Sequence, residues 1–505
     1  MSVSLQLSWQ DRVSLTANGS QAVVAGPGTR IALSPVVPEI VDALQRLAPP
    51  GEPEDRLADS ILASGGAGSL ARWFYHLGQL RQRGLIRRSL YADGKLLATV
   101  VPLCRAAGPS TVDGESGATN GCGRPPGAKL NGTSRSGLGA GTAQATCVLS
   151  RFAYLRRAET EGQLVLESPL ALARVVLHDP RAVAVVAAIA APSTVADLME
   201  QAAGLTAAQA CALLALLMET QLAERAGTDG SASRSDASPL DCWEFHDLLF
   251  HARSRRGRSD GAFGGTYRLA PGPPQPAVKE VCDRPWHELH RPDLERLQRD
   301  DPPLAAVQER RQSLRQYAAQ PIGAEQLSEF LYRVARVTHE WESEASTPSG
   351  PVTVPFAARP YPAGGGMYEL EFYLAVQACR DLATGLYYYD PRHHRLASLC
   401  GKTREVGLLL DEAAASAGMA PETLQVLVVL SARFQRLAWK YESIAYSLIL
   451  KHVGVVYQTM YLAATAMGLA PCAVGCGDSD LFARAAGTDY YAETSVGEFL
   501  LGSRE

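Results

Sequence analysis

Little in this sequence would commit it to nucleic acid, to a membrane or to a metal. Its 505 residues carry 48 Lys plus Arg against 52 Asp plus Glu, and the net charge of −4 leaves no basic stripe to neutralise phosphates. One short basic run, Arg253 to Arg258 (RSRRGR), reads as a solvated surface loop. The opening MSVSLQLSWQDRVSL lacks the basic region and apolar core of a secretion signal. The longest apolar run, Ala182 to Pro192, is too short to span a bilayer, and Lys451 and His452 interrupt the stretch from Ile444 to Ala470. A soluble, cytoplasmic protein is expected, with neither nucleic acid nor membrane as partner. The ten cysteines form no CxxC pair. Cys472 and Cys476, the closest two, read as small fillers of a Gly-rich loop with no His near them in sequence, so no metal site is expected and the thiols are expected to be reduced. No GxGxxG follows a strand to suggest a nicotinamide site.

What is present is a chain long enough for several domains, with 46% hydrophobic residues to build their cores. Residues 106–146 are rich in Gly, Ser, Thr and Pro and short of large apolar side chains, which predicts a flexible linker. A second polar stretch predicts a linker at 227–240, and Pro271 to Pro276 (PGPPQP) marks a further break. Residues 1–105 alternate early (SLQLSW, RIALSP), pass through helical patterns and close on SLYADGKLLATVVPL, where Asp93-Gly94 signals a hairpin turn. Residues 147–226 repeat the ingredients, a hairpin over FAYLRRAETEGQLVLESPL and then three helical segments. Two small winged-helix-like domains are expected, then a bridging segment over 241–300 and a large domain over 301–505. The helix expected over Thr206 to Glu219 is apolar and nearly free of Lys and Arg, which argues against DNA binding. A strand at the edge of such a domain can instead take up a peptide as one more strand; the blander reading is that the domains serve only to pack.

Four elements of the large domain could carry chemistry. RRQSLRQY, from Arg310 to Tyr317, sets arginines around a serine, a donor set suited to a dianionic phosphate, although a basic helix face is the ordinary alternative. RPYPAGGGMYE, from Arg359 to Glu369, places three glycines before a strand, where backbone can approach a flat ligand that a Cβ would displace. GLAPCAVGCGD, from Gly468 to Asp478, follows a long helix and offers backbone N–H groups. Trp439-Lys440-Tyr441 follows the strand-like LQVLVVLSARF; an ammonium near a phenol lowers the phenol's pKa and would make it a base. His452, within the helix expected over Ser443 to Met467, reads as structural, and Ile444, Leu448, Val455, Tyr461 and Leu462 read as core or interface.

In order and spacing these elements, with WKYESIAYSLILKHVGVVYQTMYLAATAMGLAPCAVGCGDSDLF and the ending SVGEFLLG, resemble the SagB/ThcOx-type azoline dehydrogenases of the nitroreductase-like FMN family, over roughly residues 243 to 502. The resemblance implies an α+β fold, a central antiparallel sheet wrapped by helices, with FMN at a homodimer interface. Carried over by position, it implies that Arg311, Gln312, Ser313 and Arg315 hold the phosphate and ribityl end. Ala363, Gly364, Gly365, Gly366 and Met367 would lie along the flavin, with Val474 and Gly475 near its ring. The chain departs from the family at Gln312, where Arg is commoner, and at Ala363, where Ser is common. The resemblance also implies that Lys440 and Tyr441 are catalytic, with Tyr441 expected to take the proton from the ring α-carbon of a thiazoline or oxazoline, Lys440 to orient or activate it, and hydride to pass to FMN N5. Oxygen is the expected reoxidant of the flavin, and the ring is expected to arrive tethered to a leader peptide or carrier protein, as the N-terminal domains suggest. The competing expectations are an NAD(P)H-dependent nitroreductase or flavin reductase on the same fold, and a non-catalytic scaffold that only binds substrate.

Overall fold

The computed structural model describes residues 2–26, 29–103, 146–158, 162–201, 204–226, 239–257, 261–281 and 284–505. The linker expected at 106–146 lies outside the described residues but for Thr146, and that at 227–240 lies outside them but for its last two residues. The chain forms two compact units, Met1–Gly261 and Ala262–Glu505, so the segment expected to bridge, 241–300, is shared between them.

In the first unit one seven-stranded sheet takes strands from both expected winged-helix-like regions. Its order is Glu52–Pro53, Val3–Trp9, Ile86–Ala92, Lys95–Pro102, Ala173–Leu177, Leu164–Glu167, Tyr154–Arg157. The join is antiparallel, with Ala98 opposite Leu177 and Val100 opposite Val175. The Asp93-Gly94 turn has φ of 51° and 74°, the left-handed pair that matches the twist of a two-residue hairpin. The helix Ala207–Glu219 starts at a capping box made by Thr206 and Gln209, and it buries Leu213, Leu214 and Leu217 in the core. The basic run departs from expectation. Arg253 ends the helix Phe245–Arg253 and donates to Glu167 and to the Tyr154 hydroxyl, because a carboxylate only 4% exposed must be met by cations. Arg255 and Arg256, by contrast, are exposed.

The second unit is built on a seven-stranded antiparallel sheet. Its strands are β1 (Trp286–Glu288), β2 (Leu370–Val376), β3 (Gly385–Asp390), β4 (Arg395–Cys400), β5 (Val426–Arg433), β6 (Leu469–Val474) and β7 (Glu493–Ser503), in the order β1-β4-β3-β2-β5-β7-β6. Side chains alternate across a strand, so a sheet covered on both faces needs apolar residues at nearly every position. The central strands β2 (LEFYLAV) and β5 (VLVVLSAR) meet that need and are buried throughout. One face, bearing Leu370, Phe372, Val428 and Leu430, packs on helix α1 (Ala324–Ala335), through Phe330 and Leu331, and on a long helix through Ile449, Val453, Val456 and Met460. The other face, bearing Tyr373, Leu427 and Val429, packs on Leu409 and Leu410 and on Leu481 and Phe482. Between β5 and the long helix the chain makes one short turn, α2 (Phe434–Ala438), and the long helix itself is α3 (Ala445–Ala466). The α+β arrangement of the expected fold class is thus the observed one, and α2, α3 and the loop entering β2 position the site.

Candidate active site

Lys440 and Tyr441 are set by their neighbours on both sides. Before them, the buried Trp439 donates from its indole to Gly272 O at 2.9 Å and stands edge-on to Tyr267. After them, Tyr441 and Glu442 pair with Gly265 and Gly264 as a short antiparallel ladder. Both catalytic candidates are half-buried. Across from them the chain turns through Ala363 to Met367, with φ of 61° at Gly365 and 70° at Gly366. A Cβ at Gly365 would come within 2.5 Å of the Tyr441 hydroxyl and 2.6 Å of Lys440 Nζ, so glycine lets both ends approach where any other residue would displace them. The Lys440 ammonium reaches back to Gly365 O at 3.5 Å.

The turn is fixed from behind. Gly364 N donates to Nε2 of the buried His452 at 2.7 Å, and His452 Nδ1 lies 2.6 Å from Oε1 of the fully buried Glu369. Arg436, in α2 and with no solvent exposure, donates to Met367 O at 2.8 Å, Gln275 O at 2.5 Å and Pro355 O at 2.7 Å. Burial, with Arg433 beside it, pushes its pKa down to about 10. The Met367 side chain is core, not surface. None of His452, Glu369 and Arg436 was expected at the site from the sequence.

The phosphate candidates lie elsewhere. Arg311 ends the helix Leu304–Arg310 as its C-cap, and residues 311–317 run on without helical structure, so the arginines do not share a helix face. Ser313 Oγ shares a 2.7 Å hydrogen bond with the Tyr461 hydroxyl, which also accepts from Ala473 N at 2.8 Å. The Arg311 guanidinium lies 5.3 Å from the centre of the Tyr461 ring, and Leu314 N donates to Pro471 O at 2.9 Å. Gln312, Ser313 and Arg315 are exposed, as is Gly475, whereas Val474 is buried. Cys472 is not a loop filler: it is a buried residue of β6, because Leu469–Val474 pairs in full with β7, while Cys476 is exposed beyond the strand.

The residues named from the sequence therefore form two groups, not one. The first is Lys440, Tyr441 and the 363–367 turn; the second is the 311–315 segment with β6. They hang on α3 through His452 and Tyr461, nine residues apart, which an α-helix places on about opposite faces and about 13 Å apart along its axis. The second group has the chemistry that the phosphate of FMN requires, a cationic segment with a hydroxyl, whereas the space beside the glycines of the first is taken by His452, Lys440, Tyr441 and Phe356.

The electrostatics run against one expectation. Burial, and secondarily Tyr267, raises the Tyr441 phenol above its ordinary value, and burial lowers the Lys440 ammonium below its own. The Lys440 Nζ sits 5.5 Å from the Tyr441 ring centre, over the ring, so desolvation outweighs the phenolate-stabilising effect of the cation.

The central strands of the antiparallel sheet covered on both faces, with the glycine turn set against the Lys-Tyr pair, fall within the stretch that a family model identifies as nitroreductase-like. Family models place the chain further: the ThcOx helix turn helix domain matches residues 1–108, Cyanobactin oxidase ThcOx matches 147–260, and the Nitroreductase family matches 309–502. In that order they mark the chain as a SagB/ThcOx-type, nitroreductase-like protein. A protein of Methanocaldococcus jannaschii whose name marks it as a candidate nitroreductase is 29% identical over 188 residues, 37% of this chain and 83% of that protein. Among solved structures, a candidate nitroreductase from Anabaena variabilis has a TM-score of 0.35 at 21% identity, covering 50% of this chain and 45% of its own, so this chain spans less than half of it. One from Ralstonia eutropha has 0.33 at 23%, covering 46% and 99%. The E. coli microcin synthetase McbBCD complex with truncated pro-MccB17 bound has 0.32 at 18%, covering 51% and 91%. No helix among the described residues is long and apolar enough to cross a membrane.

Proposed function

We propose that this oxidoreductase uses FMN to oxidise thiazoline or oxazoline rings, carried on a natural-product intermediate, to thiazoles or oxazoles. One observation carries the reading: Lys440 and Tyr441 converge on the Gly365 turn, in a chain matched by the cyanobactin oxidase and nitroreductase models. FMN, when bound, supplies the acceptor for the hydride that leaves as the ring becomes aromatic. The chain's own residues do the rest. The Lys440 amine, with its pKa lowered by burial, accepts the proton from the ring α-carbon. The Tyr441 phenol, kept protonated, donates a hydrogen bond to orient the ring. The Gly364–Gly366 turn limits where the substrate ring can lie, and Arg311, Gln312, Ser313 and Arg315 hold the cofactor's phosphate and ribityl end, with Val474 and Gly475 near its ring.

The placement of the two groups on opposite faces of α3 supports a homodimer in which each flavin is completed by two copies of the chain. The first unit grips the tether, a leader peptide or a carrier protein, and its terminal strand Tyr154–Arg157 offers an edge for strand addition. Replacing Lys440 by Ala should abolish the loss of two hydrogens that mass spectrometry reads from a tethered azoline, and Tyr441→Phe should cut it strongly, both with FMN still bound; full activity in both variants would refute the assignment. The nitroreductase match favours a second reading, an NAD(P)H-dependent reductase. Rapid bleaching of the bound flavin by NAD(P)H, without azoline oxidation, would establish it instead.

A further inference from the structure

We infer that His452 and Glu369 form a positioning pair that holds the glycine turn against Lys440 and Tyr441 by locking one imidazole tautomer. Gly364 N–H can donate only to a bare nitrogen, so His452 Nε2 carries the lone pair. The proton must then sit on Nδ1, 2.6 Å from Glu369 Oε1, and the carboxylate accepts it. Glu369 has no exposed surface and His452 only 6%, so water does not compete for either nitrogen. The chain Glu369–His452–Gly364 ties three pieces together: the entry to β2, the buried side of α3, and the turn itself. It acts one residue away from Gly365, whose backbone sets the ends of Lys440 and Tyr441. This is the logic by which a carboxylate orients an imidazole in a catalytic triad, but here the imidazole's other nitrogen grips backbone instead of activating a nucleophile.

A simple core histidine would fill space, and any apolar side chain of similar volume would serve. The positioning role requires the acceptor. Two residues that touch neither the reacting atoms nor the cofactor phosphate therefore control the proton-transfer geometry, and that part of the inference rests on the function proposed above.

The test compares His452→Leu, which keeps bulk and loses the acceptor, with His452→Gln, whose amide oxygen can take the place of Nε2. Glu369→Gln leaves the fold's volume intact and frees the tautomer. In the full-length flavin-loaded protein, hydrogen exchange is followed for the peptide holding Gly364 to Met367 and, as internal reference, for the β5 peptide. Azoline turnover is measured alongside. The His452→Leu protein should exchange the turn peptide at least about tenfold faster, with β5 unchanged, since the backbone bond is lost, and Glu369→Gln should exchange it faster to a smaller degree, since the imidazole stays but its tautomer is no longer fixed. Their kcat should fall about tenfold to a hundredfold with KM little moved, the penalty of slight misplacement at the reacting atoms. His452→Gln should restore both. Unchanged exchange in His452→Leu, or His452→Gln as impaired as His452→Leu, would overturn the inference. If the wild-type chain oxidises no azoline, the proposed function fails, while the exchange comparison still decides whether the pair holds the turn.

Discussion

Replacing Arg436 by Met should unfold the second unit at a markedly lower temperature. The guanidinium donates to three backbone carbonyls drawn from separate segments, at Gln275, Pro355 and Met367. Hydrogen bonds from a charged donor contribute about 1.5–3 kcal/mol each, so the gross loss is about 5–9 kcal/mol. Burying the cation costs part of this back, as its lowered pKa of about 10 reflects, and Met recovers some packing. The net destabilisation should fall near 3–5 kcal/mol, the range for removing one member of a buried charged network. For a unit of this size that corresponds to a drop in Tm of about 6–20 °C. Differential scanning calorimetry of the full chain would read it, with urea unfolding as an independent measure. Arg436→Lys, which can reach one or two of the carbonyls, should lose about half as much. A loss below about 1 kcal/mol for the Met variant would show that the three bonds merely offset desolvation, and that the loop geometry around Lys440 is held by something else.

Gly365→Ala should fold at a cost of about 1–2 kcal/mol, since alanine is strained at φ of 61° while its methyl meets only the flexible ends of Lys440 and Tyr441, yet turnover should fall by about tenfold or more as both ends are displaced. Turnover equal to wild type would mean the turn does not set those side chains. With Lys440 as proton acceptor, kcat/KM should climb with pH along a limb centred below the ordinary lysine value, since the active form is the free amine and burial lowers its pKa. Lys440→Ala should erase the limb, and a limb that survives would point to another base. Tyr461→Phe removes the hydroxyl shared by Ser313 and Ala473 N, and should weaken FMN retention, read by fluorescence titration, by about tenfold. Unchanged retention would separate the 311–315 segment from cofactor binding.

Local signals in the sequence carried far. The Asp93-Gly94 turn, the mostly apolar LEFYLAV and LQVLVVLSARF strands and the long helix after Tyr441 are each dictated by neighbours within a few residues, and the structure has them. Long-range pairing is what the sequence could not display. His452 looked like an ordinary helix histidine because its partners are 83 and 88 residues away. Arg436 sits in a short turn with no motif, and its importance comes from carbonyls that only the fold brings together. Cys472 was misplaced for the same reason: the glycines that follow it suggested a loop, but its own segment finds a partner in β7. Likewise the Lys440-Tyr441 adjacency suggested a stabilised phenolate, and only the burial of both groups shows the opposite direction.

The division of the site across α3 has a consequence for mixed assemblies if each flavin is completed by two copies of the chain, as proposed above. A chain lacking Lys440 and a chain lacking Arg311 should then each be defective alone, but in a two-fold dimer formed from one of each, one of the two pockets would draw its Lys440 group and its Arg311 group from intact halves. Random reassociation of equal amounts should therefore recover about a quarter of wild-type turnover from two inactive preparations. In a cell producing both, the two defective alleles would complement each other, and an inactive chain would not simply dilute an active one but would capture half of its partner's chemistry.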